Sequence, residues 1–174
     1  MTKQNFLLYA AIAILFASIG LYIGFDRWST ESPAPMSASQ LFTLSLPDAK
    51  GKPHELAQWK GKILVVNFWA TWCGPCVQEM PELSALQTEA SLKNMQIVGI
   101  GIDSAANIAE FSSKYRISYP LYVAGMDGSE LARKFGDLTG SLPFTVLIGP
   151  DGAVRKTYLG RLKFDELRRD IATL

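Results

Sequence analysis

Cysteine and histidine are scarce in this chain, with Cys73, Cys76 and His54 the only ones among 174 residues. Structural zinc takes four ligands, nearly always from these two residue types, so a complete zinc set is missing. Two cysteines cannot build the disulfide framework of a small secreted module, and a domain of this size does not need one. Charge of one sign is also lacking: 17 Lys and Arg stand against 16 Asp and Glu, a net of +1. Without a basic surplus there is no electrostatic footprint for nucleic acid, and that class of partner is set aside. No internal repeat is present. A G-x-G occurs at Gly99 and Gly101, but no glycine-rich turn into a helix follows it, which argues against a dinucleotide site.

What is present is concentrated around the two cysteines. With 48% hydrophobic residues the chain can bury one good core and is short for two domains. Ile63 to Trp69 is apolar almost throughout and reads as a strand buried on both faces. Met80, Leu83 and Leu86 then recur at helical spacing, so Cys73-Gly74-Pro75-Cys76 occupies a strand-to-helix turn. Unpaired N–H groups and the positive end of the macrodipole at a helix start favour a thiolate, which predicts a depressed pKa for Cys73. Pro75 loses nothing by lacking an N–H in the first turn, and Cys76, three residues on, can bring its sulfur under that of Cys73. The pair can close a small disulfide ring, and Pro81 is expected to kink the helix rather than end it. With no third cysteine to relay electrons, the partner has to be another protein or a small thiol.

Upstream, Phe6 to Phe25 is a run of about 20 residues without a charge, enough to cross the hydrocarbon core as a helix. A cleaved signal peptide is the alternative, but no small-x-small site directly follows the run, which favours an uncleaved anchor. No cysteine follows to carry a lipid. Lys3 favours a cytoplasmic N-terminus, and Arg27 on the other side weakens that bias. Residues 1–28 are therefore expected to be tail and transmembrane anchor, 29–39 a Ser/Pro/Ala-rich linker without fixed structure, and 40–174 the globular domain.

Within that domain, Phe42 to Leu46 and Pro53 to Leu56 read as a hairpin about the turn Pro47 to Gly51, with His54 a solvated hairpin residue. Gln96 to Ile102 is a second buried strand whose glycines pack closely against a helix. Ala105 to Tyr115 is predicted helical, with Ile108, Phe111 and Tyr115 on one face. Tyr119 to Val123 is a short strand and Ser129 to Phe135 a small helix. Phe144 to Gly149 and Ala153 to Leu159 form a hairpin about Pro150 to Gly152. Lys163 to Leu174 closes the chain as an amphipathic helix, with Phe164, Leu167 and Ile171 inward and Arg168 and Arg169 on a solvated face.

Trp72-Cys-Gly-Pro-Cys76, Glu79-Met-Pro81 and Leu142-Pro143, in this element order, resemble the thioredoxin superfamily and within it the TlpA/ResA/CcmG-type membrane-anchored thiol–disulfide oxidoreductases. The resemblance covers roughly residues 38 to 174. It implies an α/β thioredoxin fold with an N-terminal β-hairpin and a central insertion around residues 104 to 135, preceded by one transmembrane helix. It implies a cis Pro143 lying against the active-site disulfide, with the Leu142 backbone pairing with bound substrate, and Trp72, Gly74 and Pro75 completing the substrate contacts. Trp69 and Trp72 would contribute with Pro143 to an apolar docking rim. The buried aspartate of ordinary thioredoxin is replaced here by Asn67, which cannot act as a base near neutral pH, so proton handling is expected to fall to Glu79.

The implied chemistry uses no cofactor beyond the Cys73–Cys76 disulfide: Cys73 attacks a protein disulfide and Cys76 resolves the mixed disulfide. The Gly-Pro spacer resembles thioredoxin itself and favours a reductant, located in the bacterial periplasm on a single-pass inner-membrane anchor. Such a reductant would be recharged by a transmembrane donor similar to DsbD or CcdA, and would reduce apocytochrome c or copper-site cysteines. A disulfide-forming oxidant with the same residues is the alternative enzyme, and a Cu(I)-binding module the alternative class. A peroxidase is disfavoured, because no threonine or serine stands three residues before Cys73.

Overall fold

The computed structural model describes residues 9, 12–16, 18, 20, 37–89 and 94–174. The chain divides into two units, Met1–Ala34 and Pro35–Leu174. In the first, the described residues are helical and solvent-exposed. Most of the Phe6 to Phe25 run lies outside the described residues, as does the linker up to residue 36; among the described residues no helix is long and apolar enough to cross a membrane.

The second unit is built on a five-stranded sheet. Its strands are β3 (Ile63–Trp69), β4 (Met95–Gly101), β5 (Leu121–Val123), β6 (Phe144–Ile148) and β7 (Val154–Leu159), in the order β5-β4-β3-β6-β7. β3 runs parallel to β4 and antiparallel to β6, so the strand leading to the cysteines lies at the centre. Alternation along β3 sends Val65, Asn67 and Trp69 to one face and Leu64, Val66 and Phe68 to the other. The first face is covered by α2 (Gly74–Gln87), α3 (Ala105–Tyr115) and α5 (Phe164–Ala172), through Met80, Leu83, Leu86, Ile108, Phe111, Leu167 and Ile171. The second is covered by α1 (Ala38–Leu41) and α4 (Asp127–Lys134), through Ala38, Leu41, Leu131 and Ala132. Each buried Leu, Ile, Met or Phe among these contributes roughly 1.5–3 kcal/mol of transfer free energy.

The N-terminal hairpin is shorter than its alternation suggests. Its strands are β1 (Ser45–Pro47) and β2 (Pro53–Glu55). Phe42 instead caps α1 and is buried with it, so ordered structure begins inside the expected linker: apolar contacts of Ala38 and Leu41 override a Ser-rich composition. A bridge from Asp48 to Tyr122 fastens the hairpin to β5. His54 is half-buried rather than solvated, its Nε2 lying 3.0 Å from Asp48 Oδ2.

α2 continues through Pro81, which does not end the helix, as expected. Three other expectations need adjusting. Gly101 does pack against a helix, since a Cβ there would stand 2.3 Å from Ile108 Cδ1, but Gly99 faces Trp69 and Leu121. Tyr115 is 38% exposed and stacks on Phe111 from outside the core. Arg168 is ion-paired rather than simply solvated, its guanidinium donating to both carboxylate oxygens of Glu89.

Candidate active site

The end of β3 delivers the chain to the cysteines through a short turn. Thr71 donates both its N–H, at 3.1 Å, and its hydroxyl to Asp103 Oδ2 at the end of β4. Asp103 Oδ1 accepts from the Ser104 N–H and Asn107 Nδ2, both at 2.7 Å. Partial burial works to raise the Asp103 carboxyl, but these hydrogen bonds outweigh it and hold it below the usual carboxylate range. This clamp on the turn was not legible in the sequence beyond the position of Asp103 at a strand end.

Cys73 is the N-cap of α2, with extended backbone, and its Sγ accepts the Cys76 N–H at 3.3 Å. The sulfur therefore occupies the place where a helix start stabilises negative charge. Pro75 sits in the first turn, as its missing N–H allows. Cys73 and Cys76 are joined as a disulfide and both are buried. Around them Gly74, Pro75 and Trp72 are exposed, Trp72 to 70%. A Cβ on Gly74 would meet nothing within 4 Å, so nothing inside this domain requires the glycine. Trp69 does not belong to the rim: it is fully buried against Phe111, because the pleat turns it into the core.

Beneath the pair lies a buried polar cluster. Glu79, one helical turn beyond Cys76, is completely buried. Its Oε1 accepts from Asn67 Nδ2 and its Oε2 from the Leu162 N–H, both at 2.9 Å. Burial pushes the carboxyl up to about 7; the Leu162 and Asn67 hydrogen bonds and the Arg161 charge pull the other way, and Glu82 adds to the rise. Asn67 also donates to Thr145 Oγ1 at 3.0 Å, its direct neighbour on β6. Leu162 and Thr145 escaped the sequence reading, since a backbone donor 83 residues away and a lone strand threonine leave no local signal.

Leu142-Pro143 is a cis peptide bond. Pro143 is buried and its carbonyl accepts from the Gly160 N–H at 2.8 Å, while Leu142 packs against the cluster that contains both cysteines. The preceding loop is held by buried Asp137, which accepts from the Thr139 hydroxyl and the Ser141 N–H. Thr71, Val77, Asn107, Glu110, Phe111, Lys114 and Tyr115 line a shallow groove of about 270 Å³ beside the cysteine helix. A larger cleft of about 550 Å³ lies around Lys60, Pro150 and Asp151, at the ends of β3 and β6 remote from the cysteines. Among the described residues no three of His, Cys, Asp and Glu are grouped to hold a metal ion.

The AhpC/TSA family model matches residues 38–157. The chain belongs to this family. Similar curated proteins include the thiol–disulfide oxidoreductase ResA of Bacillus anthracis, 31% identical over 174 residues, covering 95% of this chain and 94% of that protein. The ResA of Geobacillus thermodenitrificans is 27% identical over 177 residues, covering 100% of this chain and 99% of the other. Among solved structures, a thiol:disulfide interchange protein of the thioredoxin family from Chlorobium tepidum superposes with a TM-score of 0.65. It is 29% identical and covers 81% of this chain and 95% of its own. The thioredoxin-like α/β fold is thereby established, and this AhpC/TSA member is a thiol–disulfide oxidoreductase similar to ResA.

Proposed function

We propose that this oxidoreductase works as a protein disulfide reductase, anchored by Phe6 to Phe25 in a bacterial inner membrane with its catalytic domain in the periplasm. The observation that carries the chemistry is the placement of Cys73 at a helix start above a buried carboxyl poised near neutrality. Cys73 thiolate attacks one sulfur of the substrate disulfide, and the other sulfur leaves as a thiolate. Glu79 carboxylate takes the Cys76 proton, and the Cys76 thiolate attacks Cys73 Sγ. The second substrate thiolate leaves and is protonated from Glu79. Two electrons have moved; the first substrate thiolate takes up from solvent the proton that Cys73 had released, so the substrate is a dithiol and Cys73–Cys76 is a disulfide.

The exposed face formed by Trp72, Gly74 and Pro75 supports docking of a polypeptide over the disulfide. Leu142, beside it in the cluster that holds both cysteines, supports backbone pairing with the bound chain. Recharging falls to a transmembrane donor of the DsbD or CcdA type, because no other cysteine exists to supply electrons. Apocytochrome c haem-site cysteines and copper-site cysteines are the substrates that suit such a location.

The test is the equilibrium reduction potential of Cys73–Cys76 in the full chain, followed by tryptophan fluorescence against thiol buffers. A value near roughly −270 mV, that of thioredoxin, is the expected result. A value near roughly −120 mV would make the protein a disulfide-forming oxidant instead.

A further inference from the structure

The shallow groove between α2 and α3 is left unused by the chemistry above. One wall belongs to the cysteines themselves. Thr71, which lines it, stands two residues before Cys73, and Val77 follows Cys76 and donates its N–H to the Cys73 carbonyl at 3.1 Å. The other wall is a face of α3, with Asn107 at one end, Glu110 and Phe111 in the middle, and Lys114 and Tyr115 at the other end. Asp103 fixes which end meets the disulfide. Its carboxylate takes both Thr71 and Asn107, so the first turn of α3 is held against the turn that carries Cys73, and Lys114 lies farthest from it. Asn107, Glu110 and Lys114 are exposed, while Phe111 is buried.

Glu110 and Lys114 stand four residues apart with the acid first, the helical spacing that favours a side-chain ion pair. They do not form one. Lys114 Nζ lies over the Tyr115 ring, 5.5 Å from its centroid, and neither charge has an ion-pair partner among the described residues. The groove thus presents one negative and one positive group about 6 Å apart along the helix axis, four residues at 1.5 Å each. An extended polypeptide rises about 3.3 Å per residue and sends every second side chain to the same side. Its residues i and i+2, about 6.6 Å apart, match the spacing of the two charges.

We propose that this groove is a specificity subsite for the substrate chain beside its reacting cysteine, Glu110 pairing with a basic residue and Lys114 with an acidic residue two positions farther out. The proposal rests on the reading of a polypeptide disulfide as the substrate, and adds the flanking sequence that is preferred. The order follows from the clamp: a chain leaving the disulfide passes Asn107 and Glu110 before it reaches Lys114. A chain with the two charges exchanged meets like charge at both positions and is repelled. Exposed pairs of this kind add little to affinity but discriminate between partners.

The test uses the full chain in detergent micelles, reduced and freed of reductant, with three synthetic peptides each closed by a disulfide. Reading outward from each cysteine, the flanks carry Lys-x-Glu in the matched peptide, Glu-x-Lys in the exchanged one and Gln-x-Gln in the neutral one. With both flanks alike, the direction of the bound chain does not enter. Oxidation of Cys73–Cys76 in a single turnover is followed by tryptophan fluorescence as peptide concentration is raised. The half-saturation concentration is expected to be about 5–10-fold lower for the matched than for the exchanged peptide at the same limiting rate, the gap closing between roughly 0.01 M and 1 M salt. Glu110→Lys combined with Lys114→Glu should invert the order of the two charged peptides. An order that survives this reversal overturns the proposal. So does a reversal that alters the rate with glutathione disulfide as much as with the peptides, which would make the groove a small-thiol site. Should the reversed variant fold poorly, Lys114→Gln is expected to narrow the gap between the charged peptides, and an unchanged gap again overturns the proposal. If no peptide is reduced although Cys73–Cys76 exchanges with dithiothreitol, the polypeptide-substrate reading fails and this proposal falls with it. Reduction of all three at one half-saturation concentration sinks the proposal alone.

Discussion

Asn67 donates its side-chain amide to Glu79 Oε1 at 2.9 Å, tying the helix of the cysteines to the central strand of the sheet. The same amide reaches Thr145 on β6, so one side chain links three elements across the buried face. A buried amide with satisfied donors resists displacement, which keeps Glu79 at a constant position relative to Cys76.

Glu79 makes stability depend on pH. Its carboxyl is raised from 4.5 to about 7 in the folded oxidised protein, so between these values the folded state binds more protons than the unfolded state. Stability therefore falls as pH rises from about 4.5 through 7, by up to roughly 3 kcal/mol. Thermal unfolding of the oxidised protein from pH 5 to 8 should show this decline, and Glu79→Gln should flatten it. The same variant should slow resolution of the mixed disulfide by about 10²-fold or more and remove its dependence on pH near 7, read by stopped-flow thiol release.

Asn67→Asp places a second carboxyl against the first. Two buried carboxyls in hydrogen-bond contact cannot both ionise readily, so they should share a proton with one apparent pKa pushed well up. The pH midpoint of the reduction rate is expected to move upward, with a loss of about 1–3 kcal/mol at pH 8 in urea unfolding. An unmoved rate profile would show that Glu79 does not control the step.

Trp72→Ala separates docking from chemistry. The side chain is 70% exposed, so stability should change by less than about 0.5 kcal/mol. Turnover of a small disulfide should be unchanged, while KM for a protein disulfide should rise by about 5–10-fold, the effect of losing one aromatic contact. Equal losses on both substrates would move Trp72 from docking to the thiol chemistry.

Gly99→Ala tests the packing under the site. The added Cβ would stand 2.5 Å from Leu121 Cδ2 and 3.1 Å from Trp69 Nε1. Both are buried, so the strain should cost about 1–3 kcal/mol in chemical denaturation, with little effect on the disulfide chemistry itself.

Much was determined by the sequence alone, because it was local. The apolar β-branched run Ile63 to Trp69, the helical spacing of Met80, Leu83 and Leu86 and the turn chemistry of Pro150 to Gly152 each act over a few residues, and all three elements stand where those patterns place them. The Cys-Gly-Pro-Cys box is equally local: the helix start and the three-residue spacing suffice to bring the two sulfurs together. Other features were decided only by tertiary packing. Whether Glu79 met solvent or the core depended on Asn67, 12 residues away, and on the Leu162 backbone, 83 residues away. Trp69 and Trp72 look alike along the chain, yet the pleat buries one and the turn exposes the other. Periodicity reports which face a residue takes, but a buried charge takes its proton affinity from neighbours that only the folded chain assembles.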